Sequence, residues 1–360
     1  VNESKLQTAK PFAISKQVVF EAYQRVKANK GAAGVDGQSI EGFEKDLKGN
    51  LYRLWNRLSS GSYFPPPVRA VEIPKKAGGQ RILGVPTVAD RIAQTVVKMY
   101  LEPEVEPIFH PDSYGYRPKR SAHHALATCR ERCWKYDWVI DLDIRAFFDS
   151  IRWDLMLKAV SKHTDLRWVL LYIERWLQAP LEKEDGTIVQ RDRGTAQGSA
   201  ISPLLANLFL HYALDVWLAR EFPTVKFERY ADDEVVHCTT EAEAHLVLDA
   251  IAGRLAQVSL ELHPDKTRIV YCKDANRTGS AEYEQFTFLS YTFRPRLAKN
   301  RRGQFFVGFL PAVSNDAAKA IRQEIRRWRL NMHSDKSLGD LASFINPIVR
   351  GWITYYGRFY

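Results

Sequence analysis

Tyr230-Ala231-Asp232-Asp233 sets two adjacent carboxylates between the apolar stretches Val225–Phe227 and Val235–Val236. Strand-like residues on both sides of a short polar break predict a tight hairpin with acids at its tip. Holding like charges side by side is costly unless a cation compensates them. Mg²⁺, a hard cation that prefers oxygen ligands, is the natural compensator. An Asp-Asp pair is also an ordinary solvated turn, so the remaining sequence has to decide.

A second acidic centre lies upstream in Ile140-Asp141-Leu142-Asp143-Ile144-Arg145-Ala146-Phe147-Phe148-Asp149. Trp138–Asp143 reads as a strand in which Val139, Asp141 and Asp143 share one face and Ile140 and Leu142 the other. An aspartate at a strand end can meet a hairpin tip on a neighbouring strand. Asp143, Asp232 and Asp233 would then form a three-carboxylate cluster able to hold two Mg²⁺ ions about 3.5–4 Å apart. Asp141 and Asp149 remain competitors for the upstream position.

The chain has 360 residues and a formal charge of +10, which suits a polyanionic partner. Residues 291–360 carry 13 Lys/Arg against 4 Asp/Glu, nearly the whole excess. There the cations alternate with Trp328, Phe344, Trp352, Tyr355, Tyr356, Phe359 and Tyr360, a pattern suited to a nucleic-acid groove. No run of 18 apolar residues and no apolar leader is present, so no membrane association is expected and a cytoplasmic location is. Cys129, Cys133, Cys238 and Cys272 form no CxxC pair. Cys129 and Cys133 are spaced as helix neighbours, but they lack nearby partner ligands and read as reduced packing thiols.

The periodicities predict an α+β fold. Helices are expected over 15–60 with a loop at 31–37, then over 88–101, 121–135, 241–258, 314–330 and 338–356. Ser202 is expected to cap a helix running through Trp217, with Pro203 in its first turn. Val68–Ile73 and Arg81–Leu83 make a hairpin around the basic turn Pro74–Gln80, and strand-like runs occupy 268–272, 286–293 and 304–310.

Several ordered motifs make the reading specific. They are Val85–Arg91 (VPTVADR), Ser113–Pro118 (SYGYRP), Asp141–Ile144, Gly194–Gly198 (GTAQG), Ser202–Asn207 (SPLLAN), Arg229–Asp233 (RYADD) and Asn346–Trp352 (NPIVRGW). From about residue 11 to 360 the chain resembles bacterial group II intron reverse transcriptases, the polymerase–maturases encoded within those mobile introns. The resemblance implies a right-hand polymerase with an antiparallel palm sheet flanked by helices. Residues 1–135 would form an N-terminal extension and fingers with part of the palm. Residues 136–295 would form the palm, with a loop and helix at 194–215, and 296–360 an incomplete helical thumb.

The resemblance makes Asp143, Asp232 and Asp233 the catalytic metal-binding residues, with Ile144 beside them in the metal set. The cofactor would be two Mg²⁺ ions, with Mn²⁺ able to substitute. Phe148 would be the aromatic wall that refuses a 2′-hydroxyl. Lys75 and Arg81 would hold the dNTP triphosphate, with Lys76 an alternative to Lys75. Gln197 would support the templating pair, and Lys266 would lie near the primer. Arg117 joins them as a nucleic-acid-binding residue. In Ala317–Leu330, Ile321, Ile325 and Trp328 recur at helical spacing and should face a core, while Arg322, Arg326 and Arg329 form a cationic stripe for nucleic acid. The implied partners are an RNA template, a DNA primer, dNTPs and group II intron RNA. A homodimer is left open.

Against the family pattern, Ala196 and Ser199 alter the glutamine loop. Glu234 follows the catalytic acids where an apolar residue is usual and is expected to add charge beside the metals. Ser290 replaces the glycine of Phe-Leu-Gly-Tyr, and Ile82 replaces a proline. No His-Asn-His nuclease motif is visible, so cleavage of target DNA is not expected. Two other readings compete with the polymerase. One is an RNA-binding maturase, or a domesticated relative in repair or defence, with polymerisation secondary. The other is an RNA-dependent RNA polymerase, which Phe148 disfavours.

Overall fold

A computed structural model describes residues 10–74, 79–300 and 302–359. The chain forms two compact units, each assembled from separate stretches of sequence. Lys75 and Lys76 lie outside the described residues.

The first unit comprises residues up to His110, Ala146–Val216 and Leu255–Leu260. Its sheet has the order β2-β1-β4-β5, from β1 (Val68–Pro74), β2 (Gln80–Val85), β4 (Leu181–Glu182) and β5 (Ile188–Val189). β1 and β2 pair antiparallel with Arg69 opposite Val85 and Pro74 opposite Gln80. The predicted 15–60 region resolves into helices Lys16–Asn29, Ile40–Glu44 and Leu47–Ser60, each opened by a side-chain cap from Ser15, Ser39 or Asp46. Thr87 caps Val88–Val105 through the Asp90 amide. Asp90 itself is buried and accepts from Tyr63 Oη, Trp176 Nε1 and Gln94 Nε2. Burial pushes its carboxyl up to about 6 against those three donors. Arg91 donates to the Lys30 and Ala32 carbonyls. The VPTVADR stretch is thus a structural brace within this unit.

Ser202 does not cap its helix. The helix runs Ser202–Leu210 with Ile201 before it and no side-chain cap, and the Ser202 hydroxyl instead meets that of Thr195 at 2.7 Å. A wider π turn at His211–Asp215 then separates it from Val216–Glu221, so the predicted single helix is interrupted.

The second unit comprises Pro111–Arg145, Trp217–Arg254 and Glu261 onward. Its central sheet has the order β6-β7-β3-β8, from β3 (Trp138–Asp143), β6 (Lys226–Tyr230), β7 (Asp233–Cys238) and β8 (Arg268–Tyr271), all antiparallel. Val139, Val235 and Val270 sit in one fully buried cluster with Ala125, Leu126, Cys129 and Cys133 of helix Ala122–Cys133. Each such aliphatic side chain contributes roughly 1.5–3 kcal/mol by leaving water. A second sheet, β11-β10-β9, is built from β9 (Phe286–Phe288), β10 (Tyr291–Lys299) and β11 (Phe305–Val313).

The predicted strand over 286–293 is therefore two strands, joined by the turn Leu289–Ser290. Both turn residues take left-handed backbone, φ 49° and 67°, as a two-residue hairpin with the sheet's twist requires. A non-glycine residue there is strained by about 1 kcal/mol. Ser290→Gly is accordingly expected to raise the midpoint of thermal unfolding by a few degrees, and an unchanged or lower midpoint would refute the strain.

Helix Asn315–Arg327 is capped by Ser314, and helix Leu338–Tyr356 by a reciprocal Ser337–Asp340 pair. Trp328 is buried and stacks on Trp352, ring centroids 5.6 Å apart. Ile325 departs from expectation, since it is 44% exposed and joins no core. Arg322 and Arg326 are exposed on the helix, whereas Arg329 lies beyond its end with φ 43°. No helix among the described residues is long and apolar enough to cross a membrane.

Candidate active site

β6 and β7 make the hairpin foreseen around Tyr230–Asp233, with a two-residue tip in which Ala231 adopts φ 61°. In the register of β3 with β7, Asp143 stands directly opposite Asp233 and Asp141 opposite Val235. Sheet alternation puts Asp141, Asp143 and Asp233 on one face. Asp149 belongs to the short helix Phe147–Ser150 of the first unit. The register sets Asp143 against Asp233 and adds Asp141 as an acidic neighbour on the same face.

Several contacts fix the end of β3. The Asp143 carbonyl accepts from the His263 amide at 2.7 Å, and the Asp143 amide approaches Thr267 Oγ1 at 3.4 Å. Ile144 is buried and bridges Leu262. From the same Leu262–Thr267 segment, Lys266 Nζ reaches both Asp143 oxygens at 3.1 and 3.2 Å. A cleft of about 980 Å³ opens here, lined by Asp141, Asp143, Asp233, Lys266, Arg268 and Glu284 among others.

The electrostatics are those of crowded acids. Burial first, then the charges of Asp232 and Asp143, push Asp233 up to about 7, with Lys266 opposing. Burial and the charges of Asp233 and Asp143 push Asp141 up to about 8, with Arg268 opposing. Both acids hold protons more tightly in the folded chain than in the unfolded one, so the metal-free protein loses stability as pH rises from about 4 to about 8. Asp141→Asn removes the larger part of that loss. Its thermal midpoint is expected to exceed wild type by several degrees at pH 8.5 and to match it only at about pH 3.5, below the unfolded carboxyl's range. Equal midpoints at pH 8.5 would contradict the buried, crowded carboxyl.

Such a donor set fits a hard divalent cation. Oxygen ligands converge, their protons are loosely enough held to be displaced near neutral pH, and one basic side chain already balances the charge.

Glu234 does not stand among these acids. It pairs with Arg229 on β6 and Leu142 on β3, so its side chain leaves the opposite face of the sheet and is buried there. The residue across from it, Arg229, is also fully buried and donates to the Ala231 carbonyl at 2.8 Å. A buried carboxylate and a buried guanidinium therefore share that face, beneath the tip. The expectation that Glu234 adds charge beside the metals is corrected by the register.

The Ser113–Pro118 segment buttresses the hairpin. Tyr114 donates its amide to the Arg229 carbonyl at 2.8 Å, and the Arg229 amide donates to Asp112 at 2.9 Å. Arg117 is half-buried and donates to the Ser113 carbonyl at 2.7 Å, which ties it to its own loop. Gly115 lies so close to the tip that a Cβ would stand 2.3 Å from the Ala231 nitrogen. Sequence reasoning missed Gly115 and Arg268. Gly115 sits in the SYGYRP motif, but its role, like that of Arg268, arises only through a neighbour distant in the chain.

Other expected site residues lie in the first unit. Arg81 is exposed and its Nε donates to Gln197 Oε1. The Gly84 amide donates to the Gln197 carbonyl at 2.7 Å, and Gly198, with φ 113°, passes close against Gly84. Ala196 packs with Val68 of β1 and with Ala179, so the altered loop is held against both strands of the β1–β2 hairpin. Phe148 is buried against Phe147 in an edge-to-face pair 5.4 Å apart, and its carbonyl accepts from Thr195.

Comparison with known proteins agrees with this arrangement. Residues 73–293, more than half of the chain, match the family described as reverse transcriptase (RNA-dependent DNA polymerase). Residues 318–360 match the maturase-specific domain of group II introns. Protein YkfC of Escherichia coli is 33% identical over 298 residues, 71% of this chain and 77% of its own length. The group II intron-encoded protein LtrA of Lactococcus lactis is 32% identical over 255 residues, and the match covers 69% of this chain but 41% of LtrA. The putative COX1/OXI3 intron 1 protein of Saccharomyces cerevisiae is 31% identical over 197 residues, 55% of this chain and 23% of its own. The paired acids therefore stand inside a reverse transcriptase domain, an RNA-dependent DNA polymerase, and the chain belongs to the group II intron reverse transcriptase/maturase family.

Proposed function

We propose that the protein extends a primer with dNTPs on an RNA template by nucleotidyl transfer, with a right-hand arrangement of fingers, palm and thumb. The observation that carries this reading is the convergence of Asp143 and Asp233, opposite each other in the sheet register, in an acid-lined cleft beside the Asp232 tip. Asp143, Asp232 and Asp233 would hold two Mg²⁺ ions, with the Ile144 main chain beside them. Bound there, the ions supply acidification of the primer 3′-hydroxyl and stabilisation of the leaving pyrophosphate. Lys266 neutralises Asp143 and stands on the primer side. Arg81 and Lys75 bind the triphosphate, Arg as a fixed fork and Lys as a point charge. Gln197, tied to Arg81 and β2, supports the templating pair.

Phe148 forms the wall against C2′. Its packing on Phe147 limits retreat of the ring, so a 2′-hydroxyl meets a fixed surface. Primer extension on an RNA template tests the reading: dNTPs should be incorporated and rNTPs refused. Phe148→Val should raise rNTP incorporation roughly 10–100-fold relative to dNTP. Absence of dNTP incorporation by the wild type would overturn the proposal, and unchanged sugar preference in the variant would remove Phe148 from it.

A second reading runs beside the first. The maturase-domain match over 318–360 and the exposed Arg322, Arg326 and Arg329 favour binding of group II intron RNA, with Arg117 an additional phosphate contact. Binding of that RNA should weaken steeply with salt, and Arg322→Ala with Arg326→Ala should flatten that dependence.

A further inference from the structure

At the far end of the same sheet from the catalytic acids, five metal-ligating side chains are buried together. Helix Ala122–Cys133 supplies Cys129 and Cys133, one turn apart; β6 supplies Glu228; β7 supplies His237; and Cys272 follows β8. Cys129, Cys133, Glu228, His237 and Cys272 are each fully excluded from solvent. One ligand atom each from Cys129, Glu228 and His237 lies within 4.8 Å of the others. Cys133 is buried in one cluster with Cys129 and Cys272.

Thiols alone would be unremarkable, since a buried cysteine behaves as a small apolar side chain. The polar members make the difference. Glu228 accepts from Arg132 at 2.5 Å and meets His237 Nε2 at 2.6 Å. His237 Nδ1 is buried and has no hydrogen-bond partner among the described residues. An unsatisfied buried nitrogen costs about 1–3 kcal/mol, and in native proteins such a group calls for an ion or a water.

We propose that Cys129, Cys133, His237 and Glu228 form a structural site for a thiophilic divalent cation, Zn²⁺. The donor set of sulfur, nitrogen and one carboxylate oxygen selects zinc over the hard ions suited to the catalytic carboxylates. Binding displaces the two thiol protons and forms two sulfur–metal bonds. The ion then carries two thiolates and one carboxylate, an excess of one negative charge that lies beside the Arg132 guanidinium. Arg132 is itself anchored to Asp112 at 2.9 Å and to the Phe227 carbonyl at 2.7 Å, the outer support a metal-bound carboxylate needs. The separations within 4.8 Å among Cys129, Glu228 and His237 must shorten by roughly 1 Å to reach bonding geometry, and Glu228 exchanges its hydrogen bond to His237 Nε2 for the metal. The site fastens helix Ala122–Cys133 to both strands of the hairpin that carries Asp232 and Asp233, so it braces the catalytic tip from its other end.

The test uses the full chain under reducing conditions, titrated with Co²⁺ and separately with Zn²⁺. About one equivalent of Co²⁺ should produce a thiolate-to-cobalt charge-transfer band with intense visible absorption. Zn²⁺ should abolish that band and raise the thermal midpoint by several degrees. The catalytic carboxylates cannot produce a thiolate band, so the readout is independent of polymerase activity. Cys129→Ala and Cys133→Ser should each remove the band, while Cys238→Ala, a buried thiol outside the cluster, should keep it. No band in the wild type, or a band that survives both cluster variants, would overturn the proposal.

Discussion

Asp232→Asn is expected to reduce primer extension by at least about 10³-fold while leaving template–primer binding near wild type. The substitution keeps the size and hydrogen-bonding shape of the side chain and removes one carboxylate from the tip. A divalent ion at such a site supplies several kcal/mol of transition-state stabilisation, and each 1.4 kcal/mol is a factor of ten in rate. Binding is expected to survive because the exposed Arg322, Arg326 and Arg329, proposed to meet nucleic acid, are unchanged. A second measurement separates this effect from misfolding. The Asp232 charge is one cause of the raised Asp233 carboxyl, so its removal should lower the Asp233 pKa and leave the metal-free thermal midpoint unchanged or higher. Normal extension by the variant would remove Asp232 from the catalytic set.

Gly115→Ala is expected to lower kcat about 100-fold, although Gly115 carries no chemistry. A methyl group there would stand 2.3 Å from the Ala231 nitrogen and 2.9 Å from the Tyr230 carbonyl carbon. Both are main-chain atoms of the Tyr230–Asp233 turn and cannot rotate aside. The turn must move, and Asp232 and Asp233 move with it. A displacement near 1 Å at a reacting centre costs about 10²-fold, alongside roughly 1–3 kcal/mol of stability from overpacking. Gly253→Ala provides the control. Gly253 lies within helix Glu241–Gln257, a Cβ there meets nothing within 4 Å, and the change should stabilise by about 0.5–1 kcal/mol. Wild-type turnover by Gly115→Ala would show that the turn tolerates displacement.

Much of the fold was legible because it is encoded locally. Trp138–Asp143 and Leu338–Tyr356 have the boundaries that their periodicity predicts. The helices expected from 15, 88 and 314 do begin there, where Ser15, Thr87 and Ser314 cap them. Local reading failed where a second partner decides the outcome. Ser202 looks like a cap, yet its hydroxyl is taken by Thr195. Ile325 continues an apolar period, yet it is 44% exposed. The strand over 286–293 looks continuous, yet its middle residues turn back with positive φ.

The sequence by itself determined the chemistry: a hairpin of paired acids, an upstream acidic strand, and ordered motifs that resemble one polymerase family. Tertiary structure decided which acids meet and which do not. Asp143 rather than Asp149 stands across from Asp233, and Glu234 leaves by the opposite face, because pairing register and the two-residue alternation of a strand assign faces. The same long-range pairing sets Gly115 against the tip and brings Cys129 to Glu228 and His237 from about a hundred residues away. A residue's type and its near neighbours are written in the sequence. Its distance from a residue on another strand is fixed only when the chain folds.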